Sequence, residues 1–474
     1  KKVPMMLQAT KQCCTRGQQQ YLRKRLLSSS TTVLEDFFDS TVKGEAVQNV
    51  VKNRIIETVT DSQSPIWSEN NPAQSRLNGI DDPVSAPFPH LNGANETVNG
   101  VNGVRYQHAY KDPLDEWFLK DAEQGRNKLD KDQLNLHKVD PFELTRNDMV
   151  DLTSGLRDLV SQAGHPLLAS AAEYFFAESS AGKKVRPLMV LLLSHAMNAH
   201  QSKASNGSSI LKSGYHQRSD LFDAQRRLAE IAEMIHTASL FHDDVIDKSE
   251  LRRGKPSANA VFGNKMAILA GDFLLARASI CLARLRDVEV VETMSTIIEH
   301  LVRGEVMQTK SNVTIETYLK KNYFKTASLM ANSCKSAAIL GNYSIEVVDA
   351  AYLYGKHVGV AFQLVDDVLD FEGNLDTLGK PVCADLNAGL ATAPVLFAAE
   401  EFPVLETLIA RKFSNEGDVE EALHYITQSQ GMARTKVLAQ VHAERAISAL
   451  LCLDKSEHRD ALIHLAYKVV DRST

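Results

Sequence analysis

The chain has 474 residues and a formal net charge of −6, which argues against a nucleic-acid-binding body, because such a body would be basic. Hydrophobic residues make up 44% of the sequence, enough for a sizeable core. No uninterrupted run of about 18 uncharged apolar residues occurs, so the sequence predicts no transmembrane helix.

The cysteine pattern bears on the compartment. The six cysteines form no CxxC pair and no regular framework, which favours reduced thiols and an intracellular location. They are Cys13, Cys14, Cys281, Cys334, Cys383 and Cys452.

The N-terminal third has the composition of a segment without a packed core. Residues 1–34 carry seven Lys or Arg, no Asp or Glu, and a Ser/Thr run, which is typical of an organelle transit peptide. A disordered basic tail is the alternative. Residues 35–138 include an Asn-, Gly-, Pro- and Ser-rich stretch that cannot bury enough apolar surface to offset its ordering entropy. We therefore expect a low-complexity linker or disordered presequence at 35–138.

From Val139 onward the sequence is predicted to be helical. Apolar residues recur at spacings of three and four, and strand-like alternation is rare. In chain order the predicted helical segments lie at 156–164, 187–200, 226–247, 264–285, 290–308, 323–341, 346–371 and 393–402. The polar, Ser/Gly-rich residues 201–219 interrupt them as an inserted surface loop. The prediction is an all-α domain at 139–474.

The segment FHDDVIDKSELRRG places three aspartates within five positions. Asp243 and Asp247 stand four residues apart and share one helix face, with Asp244 one position round. Like charges at this spacing destabilise a helix unless something neutralises them. The preceding residues, MIHTASLF, are apolar or small, so we expect the cluster at the end of a buried helix. A solvated charged face is the alternative for such a cluster on its own.

The same DDxxD order recurs as Asp366, Asp367 and Asp370, after the apolar segment GVAFQLV. Two such clusters, each at the end of an apolar helix, are hard to explain as surface decoration. Carboxylate oxygens at this spacing suit Mg²⁺, which favours sites completed by substrate phosphates. Two facing clusters could clamp one diphosphate through bridging metal ions.

Basic residues accompany both clusters. Arginine forks and lysine charges match phosphate oxygens, so the set predicts phosphate contacts. Solvated loop charges are the alternative, which we favour for Lys184 taken alone. The other members are Lys183, Arg186, Arg252, Arg253, Lys325 and Lys380.

These motifs together resemble the trans-polyprenyl diphosphate synthase family, in particular its long-chain mitochondrial hexaprenyl, solanesyl and decaprenyl type. The family's first aspartate-rich motif, DDxxD followed by RRG, matches DDVIDKSELRRG at 243–254. Its second motif, QLxDDxxDF, matches QLVDDVLDF at 363–371.

Three shorter motifs extend the resemblance over 139–474. AGKKVRP resembles the family's GGKxxRP, with Ala181 in place of the first glycine. Lys325 and Thr326 match its KT pair, and GEVMQ at 304–308 resembles GExxQ. The resemblance implies an isoprenoid synthase-type bundle of antiparallel helices around a deep central cavity.

The resemblance also implies an activity and its partners. The enzyme would be an Mg-dependent prenyltransferase that adds isopentenyl diphosphate head-to-tail to an allylic diphosphate such as farnesyl or geranylgeranyl diphosphate. Two or three Mg²⁺ ions would bridge the allylic diphosphate. The protein would form a homodimer or a hetero-oligomer, with peripheral membrane association left open and no nucleic acid involved.

A role follows by resemblance for each matching residue. The magnesium ligands would be Asp243, Asp247, Asp366 and Asp370, with catalytic assistance from Asp244 and Asp367. The allylic diphosphate would be held by Arg252, Lys325 and Lys380. Isopentenyl diphosphate would be held by Lys183, Arg186, His236 and Arg253. The reaction centre would be lined by Thr326 and Gln363. For His236, a hydrogen-bonded core histidine is the alternative.

Product length depends on the residues below the first motif. Ala238 and Ser239 are small, whereas an aromatic side chain there would block the product tunnel about one helical turn below the metals. Together with the motifs they predict a long product, C30 to C50, although ordinary tight helix packing is the alternative. The tunnel floor would lie among large residues such as Met234, Phe273 or Leu274.

A long product and an organelle presequence together indicate the side chain of ubiquinone and a mitochondrial location, in the matrix or at the inner membrane. A plastid presequence is the alternative. Three other functions are weighed against this one. Intact clusters argue against a non-catalytic subunit of a hetero-oligomer. The second DDxxD and GKKVRP argue against a class I terpene cyclase, and the small Ala238 and Ser239 against a short-chain C15–C20 synthase.

Overall fold

The computed structural model describes a large part of the helical region predicted from the sequence. The described residues are 134–161, 174, 184–204, 218–252, 255–308, 313–372 and 383–472. All of them belong to the second of the two units into which the chain divides, Leu114–Thr474. The predicted transit peptide, the predicted linker up to residue 133, and residues 205–217 of the predicted insertion lie outside the described residues.

Helices account for 81% of the described chain, which confirms the predicted all-α class. The helices are α1 Pro141–Leu144, α2 Arg146–Ser161, α3 Val185–Ala204, α4 Arg218–Ile246, α5 Ala258–Phe262, α6 Asn264–Arg284, α7 Val288–Gln308, α8 Ile315–Asn322, α9 Ser328–Leu340, α10 Ile345–Glu372, α11 Ala384–Asn387, α12 Ala393–Glu401, α13 Val404–Ala410, α14 Asp418–Gln428, α15 Gly431–Leu450 and α16 Glu457–Val470. A five-residue π-helical turn, Tyr323–Ala327, joins α8 to α9. The described strands form one antiparallel hairpin, β1 Leu251–Arg252 and β2 Lys255–Pro256.

Local sequence signals account for several helix starts. Asp140 accepts hydrogen bonds from the backbone N–H groups of Phe142 and Glu143 at the start of α1, where Pro141 occupies the first turn. Thr314 forms a capping box with Thr317 at the start of α8. These caps satisfy N–H groups that have no partner inside the helix.

The core is built around two long helices, each of which carries one aspartate cluster near its C-terminal end. Helix α10 packs against α9 and α15, and α4 packs against α3 and α6. Gly355 lets α10 approach α9 closely, because a Cβ atom there would lie 2.5 Å from the carbonyl oxygen of Met330. Gly359 does the same for the π-helical turn, because a Cβ atom there would lie 2.6 Å from the Cα of Ala327.

Helix α6 is long and apolar enough to cross a membrane by length and composition alone. Of its most apolar window, 39% is buried inside the protein. A core helix of a soluble protein meets the same criteria, so this is weak evidence against the prediction of no transmembrane helix. Its exposed face becomes relevant to oligomerisation below.

Candidate active site

The first aspartate cluster lies where α4 ends, as predicted. Asp243 and Asp244 are in the last helical turn, and the backbone N–H of Asp247 donates to the carbonyl of Asp243 over 2.8 Å. The C-terminal end of a helix carries a partial negative charge, which repels carboxylates placed there, and the carboxylates also repel each other. The site therefore favours a cation.

Electrostatics at Asp243 support the same conclusion. Burial raises the pKa of Asp243 to about 6, and the negative charges of Glu305 and Asp247 add to the increase, while Lys325 and Arg252 oppose it. The pKa of Asp247 is also raised, first by desolvation and then by Glu305 and Asp244. The positive charges of Lys325 and Arg252 therefore do not fully neutralise the carboxylates of Asp243 and Asp247.

Asp244 has a different environment from its neighbour. Its side chain is 2% exposed and faces Arg252 on the hairpin. The Arg252 guanidinium binds both carboxylate oxygens, with Nε at 2.8 Å and Nη2 at 2.7 Å. Such a bidentate pair fixes the hairpin against the end of α4. Asp244 therefore holds Arg252 in place, and both of its carboxylate oxygens accept hydrogen bonds from that guanidinium.

Lys325 connects the first cluster with α7. Its Nζ donates to Glu305 Oε2 over 2.5 Å and to Gln308 Oε1 over 3.0 Å. Room for its stem comes from Gly304, because a Cβ atom there would lie 2.6 Å from the Cγ of Lys325. Glu305 and Gln308 belong to the GEVMQ motif, to which the sequence analysis assigned no side-chain role.

Thr326, the next residue, connects to the second cluster. Its hydroxyl donates to Gln363 Oε1 over 3.1 Å. Lys325 and Thr326 lie in the π-helical turn, a rare backbone geometry that is frequent at functional sites. Lys325 acts electrostatically on Asp243 of the first cluster, and Thr326 is linked through Gln363 to Asp367 of the second.

The second cluster divides its three aspartates among different partners. Asp366 is half-exposed and forms an ion pair with Arg472, which lies at the C-terminal end of the described residues. The Arg472 guanidinium also lies over the ring of Phe362, 4.6 Å from its centroid. Sequence reasoning did not identify Arg472, because no motif marks it.

Asp367 is 2% exposed and fully engaged. It accepts hydrogen bonds from the hydroxyl of Tyr318, from Gln363 Nε2 at 3.0 Å, and from the backbone N–H of Ala393 at 3.4 Å. Burial raises the pKa of Asp367 to about 7, while the hydrogen bonds from Tyr318 and Gln363 lower it. Asp367 therefore holds the Tyr318 hydroxyl and the Gln363 amide in place.

Asp370 also makes backbone contacts. Its two carboxylate oxygens accept the N–H groups of Ala384 and Asp385, each at 3.1 Å. These contacts hold α11 against the end of α10. The assignment of Asp370 as a magnesium ligand remains a prediction.

Two of the residues predicted to hold isopentenyl diphosphate lie side by side. Arg186 Nη1 lies 3.0 Å from His236 Nε2, so α3 and α4 bring the two side chains together. Lys184 donates to Thr153 Oγ1 over 3.0 Å and anchors the start of α3, so it is not a solvated loop charge. Lys183, Arg253 and Lys380 lie outside the described residues, and their predicted contacts stay predictions.

The predicted chain-length residues differ in exposure. Ala238 is fully buried, whereas Ser239 is half-buried and donates to the carbonyl of His236 over 2.8 Å. Met234 and Leu274 are fully buried, and Phe273 is half-buried. Their role in product length stays a prediction.

The available carboxylates fit Mg²⁺ better than a metal held by protein ligands alone. Within the described ranges, no three His, Cys, Asp or Glu side chains converge where they could hold a metal ion by themselves. Mg²⁺ uses one or two carboxylates and completes its octahedron with water and phosphate oxygens. Asp243, Asp247 and Asp366, which carry negative charge without backbone hydrogen bonds to their carboxylates among the described contacts, fit this requirement.

Comparisons with known proteins show which family the chain resembles. A family model described as "Polyprenyl synthetase" matches residues 165–426. The probable mitochondrial hexaprenyl pyrophosphate synthase of Neurospora crassa is 47% identical over 374 residues, which is 71% of this chain and 83% of that protein. Mitochondrial solanesyl-diphosphate synthase 1 of Oryza sativa is 45% identical over 70% of this chain and 79% of its own length.

Solved structures lead to the same family. A polyprenyl synthase from Caulobacter crescentus, crystallised with calcium and isoprenyl diphosphate, has a TM-score of 0.60 and 31% identity, covering 70% of this chain and 97% of that one. Its fold confirms the predicted isoprenoid synthase-type bundle. The chain belongs to the polyprenyl synthetase family and is a prenyltransferase, as its motifs predicted.

Proposed function

We propose that this protein is a long-chain trans-polyprenyl diphosphate synthase. It adds isopentenyl diphosphate units head-to-tail to an allylic diphosphate. The observation that carries the proposal is that two adjacent residues face both clusters: Lys325 acts electrostatically on Asp243, and Thr326 is linked through Gln363 to Asp367. A cyclase or a carrier would not need a second cluster and a basic isopentenyl pocket at the same centre.

The side chains of the site divide the reaction among them. The C–O bond of the allylic diphosphate breaks, a C–C bond forms to isopentenyl diphosphate, and a proton leaves to a base such as the released diphosphate. Lys325 stabilises the negative charge on the leaving group, with Arg252 beside it. Arg186 and His236 hold the second diphosphate. Mg²⁺ bound by Asp243, Asp247 and Asp366 would supply the main positive charge for the departing diphosphate.

The proposed product is long and serves the ubiquinone side chain in mitochondria. Relatives named as mitochondrial hexaprenyl and solanesyl synthases support both the length and the location. Small side chains at Ala238 and Ser239 support a tunnel that stays open below the first cluster. The basic, acid-free residues 1–34 support delivery to the organelle.

We propose further that a second copy of the chain covers an apolar face of α6 and α7. Ile268, Leu269 and Ile280 on α6 are each more than two-fifths exposed, and Val302 and Val306 on α7 are about 60% exposed. Exposed large apolar side chains on neighbouring helices favour an interaction surface, and a two-fold dimer is the commonest way to cover one. Light scattering of the Ile280→Glu variant should show monomers. If the variant stays dimeric but no longer binds lipid vesicles, this face is a membrane-binding surface instead.

The activity is tested with purified protein, farnesyl diphosphate, radiolabelled isopentenyl diphosphate and Mg²⁺, with products separated by chain length after dephosphorylation. A single polyprenol of C30 or longer is expected. Asp243→Ala should abolish it, while Asp223→Ala, which removes an exposed carboxylate at the far end of the same helix, should not. Folded wild-type protein that binds both diphosphates but makes no product would support the non-catalytic subunit.

A further inference from the structure

A tyrosine hydroxyl lies at the start of a hydrogen-bond chain that reaches the reaction centre. Tyr318, on α8, is 1% exposed, and its hydroxyl donates to one carboxylate oxygen of Asp367. The other oxygen of Asp367 accepts Gln363 Nε2 at 3.0 Å. Gln363 Oε1 in turn accepts the Thr326 hydroxyl at 3.1 Å. Four side chains from α8, α10 and the π-helical turn are thus joined in sequence.

The chain of bonds gives the Gln363 amide one direction. Asp367 accepts hydrogen bonds, so the NH₂ end of the amide must face it and the carbonyl end must face Thr326. If the amide flipped, its oxygen would meet the carboxylate and both acceptors would lose a donor. Asp367 is 2% exposed, so the loss of its donor would be costly and the orientation is strongly held.

Tyr318 determines where the Asp367 carboxylate itself lies. Without the Tyr318 hydroxyl, one of its oxygens would keep only the longer 3.4 Å bond from the backbone of Ala393. The carboxylate could then rotate, and Gln363 would follow it. Tyr318 touches neither Lys325 nor Thr326 through any hydrogen bond described among these residues, so its effect would pass through Asp367.

Building on the proposed function, we propose that Tyr318 is a positioning residue for prenyl transfer. Through Asp367 it holds the Gln363 amide in the orientation that receives the Thr326 hydroxyl. Its own contact with substrate is not required. The inference extends the site to a helix that carries none of the motifs.

The test compares two tyrosine variants that each lose one buried hydroxyl. Tyr318→Phe breaks the chain, whereas Tyr354→Phe removes an equally buried hydroxyl that donates to the carbonyl of Leu462 over 2.9 Å, away from the site. Tyr318→Phe should lower kcat about tenfold while the KM of each diphosphate stays within about twofold, because Asp367 no longer fixes the Gln363 amide that receives the Thr326 hydroxyl. Tyr354→Phe should lower Tm comparably and leave kcat within about twofold.

A double-mutant cycle identifies the route of the effect. If Tyr318 acts through Gln363, single-turnover rates of Tyr318→Phe with Gln363→Leu should match Gln363→Leu alone. Rates that multiply, or a Tyr318→Phe enzyme no slower than Tyr354→Phe, would overturn the assignment while wild-type elongation still supports the proposed function. A folded wild-type protein without elongation would overturn the proposed function and this assignment with it.

Discussion

Arg472 forms an ion pair with Asp366, so a residue from the C-terminal end of the described chain reaches the first aspartate of the second cluster. The guanidinium also lies over Phe362, one turn earlier on α10. Arg472 therefore occupies the carboxylate that we assign to Mg²⁺. Metal and arginine compete for the same negative charge.

Removing Arg472 should strengthen metal binding. In Arg472→Ala, we expect half-maximal Mg²⁺ activation at a concentration about three- to tenfold lower, because the cation no longer displaces a paired arginine. Thermal unfolding with and without Mg²⁺ and inorganic diphosphate provides an independent measurement. Arg434→Ala, which breaks an exposed pair with Glu400, is the matched control. A higher Mg²⁺ requirement in Arg472→Ala would show that Arg472 assists the metal.

The charge of Asp243 should cost stability at neutral pH. Its pKa is raised from 3.8 to about 6, so the unfolded chain releases this proton at lower pH than the folded protein does. The cost grows as pH rises from about 4 to 6 and is then constant. Without Mg²⁺, Asp243→Asn should raise the free energy of unfolding at pH 7 by about 1–3 kcal/mol, with no gain near pH 4.

Urea unfolding of wild type and Asp243→Asn at both pH values measures this difference. Asp223→Asn, an exposed carboxylate on the same helix, is the control. An equal gain at pH 4 and pH 7 would refute the electrostatic explanation. Wild-type activity should also decline as pH falls through about 6, since a protonated Asp243 cannot bind a cation.

Glu305 should matter through Lys325. In Glu305→Gln the lysine loses the negative charge of its 2.5 Å partner, so its ammonium is held less firmly in the position proposed for binding the diphosphate. We expect the KM of the allylic diphosphate to rise about three- to tenfold with a smaller change in kcat. Steady-state kinetics of Glu299→Gln, an exposed glutamate on the same helix, gives the comparison. Equal kinetics for the two variants would contradict the contact.

The two predicted chain-length positions should respond differently to bulk. Ser239 is half-buried, so Ser239→Phe should shorten the polyprenol to C15–C20 while the fold tolerates the ring. Ala238 is fully buried, so Ala238→Phe should cost about 1–3 kcal/mol of stability through overpacking. Product chromatography and thermal unfolding of both variants test this. An unchanged product from a folded Ser239→Phe enzyme would show that the tunnel floor does not lie at Ser239.

Several features could be predicted from the sequence alone because they depend on spacing along the chain. Apolar periodicity identifies the helices, and a DDxxD order places two carboxylates on one helical face wherever that helix packs. The motif set was specific enough to identify the family. The same motifs single out Asp243, Asp247, Lys325, Thr326 and Gln363, whose roles at the site stay predictions.

The different partners of the aspartates within each cluster depend on the tertiary structure. Spacing treats the aspartates of a cluster as equivalent, but the partner of each one comes from a distant element. Asp244 faces Arg252 across a hairpin, and Asp367 receives Tyr318 from α8. The arrival of Arg472 at Asp366 likewise depends on how α16 packs. A local pattern can place a charge on a helix face, but only packing determines which opposite charge or donor lies across from it.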